Sequence, residues 1–189
     1  MAEIDGKIVD ALGRVSQAFR VLIRNEGKLN ALSPIQIQIL IFLLFQPEER
    51  CKVTSLARQF DLTKATISDS IKSLAQKCLA EKYTDTADVR SHMIVLTARG
   101  RELAIKSAGF TSAIERPLEM VSPMQKEFIF MGLLQLVGQL HRAGIISIQR
   151  MCFTCRHYDH SGSSHYCKLL EKGLENQELK LDCADHQLR

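Results

Sequence analysis

Four of the six cysteines lie in the last part of the sequence, where their spacing is typical of a metal site. The first two are separated by two residues, which lets a pair of thiolates bind one metal ion from a single tight turn. Two more thiolates would complete a closed tetrahedral ligand set, as in structural zinc sites and iron–sulfur clusters. The predicted metal ligands are Cys152, Cys155, Cys167 and Cys183, with zinc slightly favoured and an iron–sulfur cluster as the alternative.

Two other interpretations of this segment stay open. The thiols could be free or form a reversible Cys152–Cys155 disulfide, and a histidine could replace one cysteine as ligand. The nearby histidines are His157, His160, His165 and His186. The stretch from Arg156 to Tyr166 is polar and contains glycine and serine, so we expect it to lack an apolar core and to need the metal for stability.

The cysteine-rich segment lacks the features of a catalytic zinc site. Zinc deaminases combine His-x-Glu with Pro-Cys-x2-Cys, but no His-x-Glu precedes Cys152, and Met151 stands in place of the proline. Four thiolate ligands would also leave no coordination position open for a reacting water. We therefore expect no enzyme activity.

A predicted helix from Thr63 to Leu74 has two unlike faces. Ile67, Ile71 and Leu74 recur at helical spacing and form an apolar stripe that faces a core. Thr63 can cap the helix, and the opposite face carries short polar and basic side chains that suit the major groove of DNA. The predicted DNA contacts on this helix are Thr63, Lys64, Thr66, Ser68, Lys72 and Ser73.

The segments around this helix complete a winged helix-turn-helix pattern. A short helix over residues 54–60, with Thr54 as its cap, precedes it, and residues 61–62 make the turn. Strand-like segments at 79–84 and 92–97 flank a charged tip at 85–90. Arg90 in this tip is predicted to enter the minor groove; the alternative is that it only pairs with a neighbouring aspartate.

Four further helical segments are expected besides the two short helices. Apolar residues at steps of three and four predict a helix over 4–28, and Ser33-Pro34 begins another that runs to about Phe45, with Gln36 as a possible capping-box partner. Thr97 begins a helix to about residue 119, with Pro117 as a bend or stop. Ser122-Pro123 begins the last helix, which we expect to extend to Arg150.

The fold class predicted from these patterns is mainly α with a small β-wing. We divide the chain into an N-terminal dimerisation helix (1–32), a winged helix-turn-helix (33–97), C-terminal dimerisation helices (98–150) and a cysteine-rich metal-binding tail (151–189). The broad apolar stripes of the first and last helices must be buried, and a second copy of the chain is the natural cover.

Composition sets broad limits on location and partners. The chain has 189 residues, a formal net charge of +4 and 46% hydrophobic residues, which is typical of a globular protein and permits a polyanionic partner. The first residues do not resemble a signal peptide, and the most apolar stretch, 35–45, is too short to span a bilayer. We expect a cytoplasmic protein without membrane contact, in which a disulfide framework is disfavoured.

From about Ile8 to Ala143, the order of these elements resembles the MarR family of bacterial transcription regulators. The resemblance is carried by the helix from Ser33, the two short helices, Asp88-Val89-Arg90 in the wing and the following Leu-Thr-Ala-Arg-Gly at 96–100. It implies a homodimer on a pseudo-palindromic operator, with the recognition helix in the major groove and the wing arginine in the minor groove. A small-molecule effector is possible, but no residue pattern identifies one.

One residue departs from that family's usual pattern. Asp69 stands where members often carry a basic or amide side chain on the DNA-facing side. An acid near phosphates is repelled, unless it accepts a hydrogen bond from a cytosine amino group. Together with the modest net charge, Asp69 keeps open a different function, a protein-interaction module on a winged-helix scaffold without DNA binding.

The remaining two cysteines are expected to be structural. Cys78 follows Ile71 and Leu74 at helical spacing, which predicts a buried position. Cys51 lies between Arg50 and Lys52, whose charges could lower its pKa, but no partner residue is visible.

Overall fold

The computed structural model describes residues 2–84, 92–147, 150–162 and 164–189, in two compact units, Met1–Arg116 and Pro117–Arg189. The N-terminal unit contains α1 (Ala2–Leu29), α2 (Pro34–Phe45), α3 (Val53–Gln59), α4 (Lys64–Gln76), β1 (Ala80–Thr84), β2 (His92–Leu96) and α5 (Ala98–Ala108). The C-terminal unit contains α7 (Pro123–Arg142), β3 (Tyr158–Ser161), β4 (Ser164–Cys167) and β5 (Lys172–Leu174), and α6 (Ser112–Glu119) crosses the boundary. The mainly helical fold with a small antiparallel sheet matches the predicted class. The four-part division of the chain stays a prediction.

Helix α2 is the centre of the N-terminal unit because it is apolar on nearly all sides. Ile37, Ile39 and Leu40 are fully buried, and the helix packs against α1, α5 and β2. Its start is set locally: the Ser33 hydroxyl accepts from the Gln36 backbone N–H, and the Gln36 side chain accepts from the Ser33 N–H. This reciprocal capping box, followed by proline in the first turn, confirms the predicted helix start.

A buried polar contact joins α1 to α5 beside this core. Ser107 is fully buried, and its hydroxyl donates to the Glu26 carboxylate at 2.7 Å. The same carboxylate oxygen accepts from the Asn30 side chain at 2.9 Å. The two donors satisfy a charge that would otherwise be costly next to apolar side chains.

Helices α3 and α4 form the helix-turn-helix. Asp61 makes the turn in the left-handed region at φ 51°, and Leu62 N–H closes the end of α3 by donating to Ala57 O at 2.9 Å. Helix α3 starts one residue earlier than predicted: Lys52 is its N-cap residue, without a side-chain cap bond. The prediction of Thr54 as cap was therefore wrong, and Thr54 lies exposed in the first turn.

The wing strands pair as expected. β1 and β2 are antiparallel, with Ala80 opposite Leu96 and Thr84 opposite His92. The extended residues before α3 add to this sheet, because Ile94 N–H donates to Cys51 O at 2.7 Å. Ile94 is 1% exposed, and its side chain packs the wing against the same core that buries one side of α4.

Helix α4 ends at a cysteine in a strained conformation. Cys78 has φ 56°, its N–H donates to Ala75 O, and Leu79 N–H donates to Leu74 O, which is the Schellman pattern that glycine usually completes. The reversal turns Cys78 outward, so the prediction that it is buried was wrong. Cys51, by contrast, is buried, as expected for a structural residue.

The helix predicted over residues 98–119 is interrupted. α5 ends at Ala108, and a 3-10 turn at Gly109–Thr111 separates it from α6. Pro117 lies inside α6 instead of stopping the helix. A proline has no N–H to donate, but the short α6 has few intrahelical bonds to lose at this position.

Helix α7 is the main helix of the C-terminal unit. Ser122 and Gln125 form a second capping box at its start, as the Ser-Pro pair predicted. The helix ends at Arg142, eight residues before the expected end, because Gly144 takes φ 70° and Ile145 N–H donates to Leu140 O. A glycine in the left-handed region terminates a helix at little cost.

The stretch from Arg156 to Tyr166, which was expected to lack an apolar core, contributes Tyr158 to one. Met151 and Tyr158 are buried together with Leu134 of α7 and Leu179. Strand β4 lies between β3 and β5 in a three-stranded antiparallel sheet, with Tyr158 opposite Cys167 and Cys167 opposite Lys172. The missing apolar residues are supplied by α7 and by the segment around Leu179.

Within the described residues, no single helix has both the length and the apolar character needed to cross a membrane. α1 and α2 meet that requirement only when taken together, and they are bent by 89° relative to each other.

Candidate nucleic-acid interface and four-cysteine set

The two faces of α4 are separated in the fold as predicted. Ile67, Ile71 and Leu74 are fully buried, and Ser70 is buried with its hydroxyl donating to Thr66 O. The predicted contact residues lie away from this stripe, although not equally exposed. Thr63, Lys64, Thr66 and Lys72 are exposed, and Ser68 and Ser73 are half-buried.

Two of these hydroxyls are engaged within the helix itself. The Thr63 hydroxyl accepts from the Thr66 backbone N–H at 3.1 Å and lies 2.9 Å from the Thr66 hydroxyl. The cap fixes where α4 begins and aims its first backbone N–H groups along the helix axis, toward the exposed end. An anion at this end would be favoured by the helix dipole.

The predicted DNA contacts leave out the middle of the exposed face of α4. Ala65 and Gln76 are exposed and, with Asp69 and Lys72, follow steps of four, three and four residues. This row runs along the helix opposite Ile67, Ile71 and Leu74. This row can be identified from the sequence, because the helical spacing that defines the buried stripe also defines the row on the other side.

Asp69 does not turn away from this face. It is exposed, and it lines a groove with Ser68 and Lys72 on the α4 side and with Lys82 on the β1 side. Lys82 is a further exposed cation and is not among the predicted DNA contacts. Glu81 also lines this groove, which therefore mixes two lysines with two carboxylates, a composition suited to reading polar groups individually and not only to attracting phosphates.

Arg90, the predicted minor-groove contact, lies outside the described residues, as does the whole tip at 85–91. The strands on either side of the tip are described, and their pairing closes at Thr84 and His92. Its role stays a prediction.

The four-cysteine set (Cys152, Cys155, Cys167 and Cys183) is gathered from three segments of the C-terminal unit. Cys152 and Cys155 flank a 3-10 turn, and Cys155 N–H donates to Cys152 O at 2.9 Å. Cys167 ends β4, and Cys183 N–H donates to Arg150 O. The bond of Cys183 places it beside the segment that enters the Cys-x2-Cys turn, and Cys167 pairs in the sheet with Tyr158, which follows that turn.

The environment of Cys152 within this set shifts the pKa of its thiol. Burial raises the pKa of its thiol, the Lys180 backbone N–H that donates to Sγ at 3.3 Å opposes the rise, and negative charge on the other three cysteines raises the pKa further. Thiolates that repel one another in this way are stabilised when a cation lies between them. Within the described residues, no three His, Cys, Asp or Glu side chains are arranged closely enough to form a complete metal-ligand group.

Two of the four candidate histidines already have partners. His165 lies between the Tyr158 hydroxyl (2.6 Å) and Asn176 Oδ1 (2.9 Å), and His186 Nε2 lies 2.9 Å from the Thr154 hydroxyl. His157 differs, since its Nε2 is buried without a hydrogen-bond partner among the described residues. If one histidine joins the cysteines as a ligand, His157 is the candidate, because its unpaired ring nitrogen is buried.

A hydrogen-bond chain fixes the ring of His165. Asn176 Oδ1 accepts from His165 Nε2, so in the neutral imidazole the other ring nitrogen is free to accept from the Tyr158 hydroxyl. Burial raises the pKa of Tyr158 to about 12, so its hydroxyl keeps the proton that it donates. Asn176 in turn donates to Glu127 of α7 at 2.6 Å, which ties the small sheet to the helix within this unit.

Solved structures with the same arrangement are winged-helix regulators. The MepR–DNA complex from S. aureus is 20% identical, with 69% of this chain and 95% of that chain covered at a TM-score of 0.60. A MarR-family transcriptional regulator from Silicibacter pomeroyi is also 20% identical, with 75% and 94% covered at 0.61. The regulator BldR from Sulfolobus solfataricus is 22% identical, with 74% and 99% covered at 0.56.

The chain has the winged-helix fold of MarR-family regulators. No protein-family model and no curated protein matches its sequence significantly. At identities of 20–22% the structural likeness shows the MarR-like fold and leaves activity to be argued from the residues. None of the three structures covers more than 75% of this chain.

Proposed function

We propose that this protein is a DNA-binding transcriptional regulator of the MarR family, which acts as a homodimer on a pseudo-palindromic operator. Helix α4 enters the major groove with its exposed row, and the wing places Arg90 in the adjacent minor groove. The four-cysteine set binds zinc, or in the alternative an iron–sulfur cluster, which stabilises or controls the regulator.

One observation carries the DNA-binding proposal: the solvent-exposed side of α4 carries mostly polar and charged side chains while its opposite stripe is completely buried. Ile67, Ile71 and Leu74 are each 0% exposed, so the helix is held rigidly and presents Lys64, Lys72 and their neighbours to solvent. A helix that is anchored on one side and lined with short polar groups on the other fits the width of the major groove. MepR, which has a similar fold, was solved in complex with DNA, and this supports DNA binding by the present chain.

The homodimer is supported by apolar surface that this chain does not cover by itself. On α1, the side chains of Ile4, Ile8 and Val15 are about half exposed. On α7, Phe128 and Ile129 are 71% and 47% exposed and continue through Leu133 and Leu136 along one face. Apolar rows of this length on two helices are unusual for a monomer and typical of a subunit interface.

The metal proposal rests on donor chemistry. The four thiols come from segments that backbone hydrogen bonds and strand pairing join within one unit, and sulfur donors in a set of four suit zinc and iron–sulfur clusters. Cys152 and Cys155 would hold one side of the ion, with Cys167 and Cys183 on the other. A closed set of four sulfurs would supply folding free energy and no reacting site.

The test of DNA binding starts from selection, because the operator is unknown. We would select bound duplexes from a random library and then measure affinity by fluorescence anisotropy between about 50 and 200 mM salt, where phosphate counterion release makes binding fall steeply. Lys64→Ala and Lys72→Ala should each weaken binding and lower the salt slope by about one. Lys106→Ala removes the same charge from α5 and should leave binding unchanged.

Two outcomes would reject the proposal in favour of a protein-interaction module. One is the absence of any enriched sequence together with weak, salt-independent binding. The other is equal binding by the parent protein, Lys64→Ala and Lys72→Ala, which would place the DNA elsewhere than on α4.

A further inference from the structure

The C-terminal unit contains a pocket that neither the DNA-binding proposal nor the metal proposal uses. It lies between one side of α7 and the β3–β4 sheet, and its volume is about 560 Å³. A pocket of this size can hold a drug-sized ligand. Side chains that matter for recognition come from both sides, with Gln135 and Arg142 on α7 and Phe153, His160 and Arg189 opposite.

One wall of the pocket is a cluster of four rings. Tyr158 is at its centre, with ring centroids 5.4 Å from Phe153, 5.9 Å from His160 and 5.8 Å from His165. Tyr158 is buried, and its hydroxyl is held by His165, so the cluster is rigid. Exposed or half-buried rings in a fixed wall provide a platform on which a planar ring can stack.

The rim of the pocket is cationic. Arg189 donates through Nε to Cys155 O at 3.1 Å and through Nη2 to Tyr158 O, and Arg142 donates through Nε to Gly138 O at 3.4 Å. A guanidinium has five N–H donors, so each of the two keeps donors beyond these bonds while its position is fixed. No acidic residue occurs among the described lining residues, and the pocket therefore favours an anion.

Two amides add directional hydrogen bonding. Gln135 and Gln139 are exposed, line the pocket and are one helical turn apart on α7. A carboxamide offers an acceptor and two donors in one plane, which matches the edge of a purine base. A simple aromatic acid would use the rings and the arginines but would leave these amides without a partner.

From these three features we propose that the pocket binds a purine nucleotide, with its base stacked on the ring wall near His160 and its phosphate bound by Arg142 and Arg189. The glutamines hydrogen-bond the base edge. The site is separate from α4, so it is independent of whether the protein binds DNA, and it requires no metal ion as ligand.

The test is isothermal titration calorimetry of the full-length protein with AMP and GMP, and with ribose 5-phosphate and inorganic phosphate as probes that lack the base. We expect one site per chain for at least one purine nucleotide, with a dissociation constant on the order of ten micromolar. Arg142→Ala and His160→Ala should each weaken binding by about tenfold. Both side chains are exposed, and circular dichroism would verify that each variant is folded.

Matched variants separate this site from others on the chain. Arg156→Ala removes an exposed arginine from the same unit outside the pocket and should bind as the parent does. Lys72→Ala on α4 should also be without effect, which distinguishes the pocket from the DNA-binding face. Saturable binding lost in the two pocket variants alone supports the proposal. No saturable binding, equal loss in Arg156→Ala or Lys72→Ala, or equal affinity for ribose 5-phosphate or inorganic phosphate would overturn it.

Discussion

The carbonyl oxygen of Leu79 occupies the space where Gly100 would carry a side chain: a Cβ atom built on Gly100 would lie 1.8 Å from that oxygen. The same oxygen accepts from Thr97 N–H at 3.2 Å, and the Thr97 hydroxyl donates to Cys78 O at 2.8 Å. The first turn of α5 is thus clamped onto the chain between α4 and β1. The clamp links α4 to the wing and explains why a glycine follows Leu-Thr-Ala-Arg.

Gly100→Ala should destabilise the protein by about 3 kcal/mol, because the obstructing atom is backbone and cannot rotate away. The measurement is the free energy of unfolding from urea denaturation. Gly13→Ala is the matched control: nothing lies within 4 Å of its Cβ position, so it should raise stability by about 0.5–1 kcal/mol through helix propensity. Similar stabilities for the two variants would contradict the close approach.

Cys78→Gly should stabilise the protein by about 0.5–1 kcal/mol. The residue has φ 56° at the C-terminal reversal of α4, a conformation that costs energy for any residue with a Cβ atom. Cys78→Ala keeps the Cβ atom and should be close to neutral in the same urea experiment. A loss of stability in the glycine variant would mean that the thiol makes a contact worth more than the strain.

Cys51 should be unreactive toward iodoacetamide at pH 8, while the exposed Cys78 is alkylated quickly. Burial raises the pKa of the Cys51 thiol to about 11, with the Glu48 carboxylate adding to the rise, so the neighbouring Arg50 does not activate it. Timed alkylation followed by peptide mass spectrometry measures both sites in one sample. Faster labelling of Cys51 than of Cys78 would contradict the burial.

The same shift predicts a dependence of stability on pH. The unfolded thiol loses its proton near its ordinary pKa of 9.0, whereas the folded one keeps it until about 11. The stabilisation is therefore complete below pH 9 and is lost as the pH rises toward and through 11. In urea denaturation across this range, Cys51→Ala should show a shallower decline than the parent protein. Equal slopes would show that Cys51 titrates alike in both states.

Ile129→Glu should break the proposed homodimer. Ile129 is 47% exposed on the apolar face of α7, and a carboxylate there would have to be desolvated at an interface. Light scattering during gel filtration should give twice the chain mass of 21.3 kDa for the parent protein and the single-chain mass for the variant. Leu181→Glu, which changes an equally exposed apolar residue outside the helices, should stay dimeric. A monomeric parent protein would remove the dimer from the proposal.

Cys152→Ser and Cys183→Ser should each remove the bound metal. Elemental analysis of protein purified without air should find about one zinc ion per chain in the parent protein, since a closed four-sulfur set holds one ion. A brown protein with iron and sulfide would identify the cluster instead. Cys78→Ser, which alters an exposed thiol outside the set, should keep the metal. Parent protein without zinc or iron, or equal metal in all variants, would contradict the metal site.

Local patterns were sufficient for the helices that position the candidate DNA-binding face. The start of α2 follows from Ser33, Pro34 and Gln36, because a capping box needs only residues within one turn. Thr63 sets the start of α4 in the same way, and the spacing of Ile67 and Ile71 identifies its buried side. The same spacing also contained the exposed row, including Ala65 and Gln76.

Contacts between distant segments decided what local patterns could not. The apolar stripe of α4 does not extend to Cys78, because the chain reverses after Gln76. A glycine is required at position 100 because the Leu79 backbone, more than twenty residues away in the sequence, lies against it. The tail looked too polar for a core because its apolar partners lie on α7, where Leu134 packs with Met151.

The sequence by itself determined where α2, α4 and α7 begin, which side of α4 is apolar and which cysteines share a segment, because capping and helical spacing act over a few residues. Only the tertiary structure decided that Cys78 faces outward, that His165 is already held between Tyr158 and Asn176, and that Arg142 and Arg189 meet at one pocket. These relationships depend on packing between segments far apart in the chain, and no spacing within one segment encodes them.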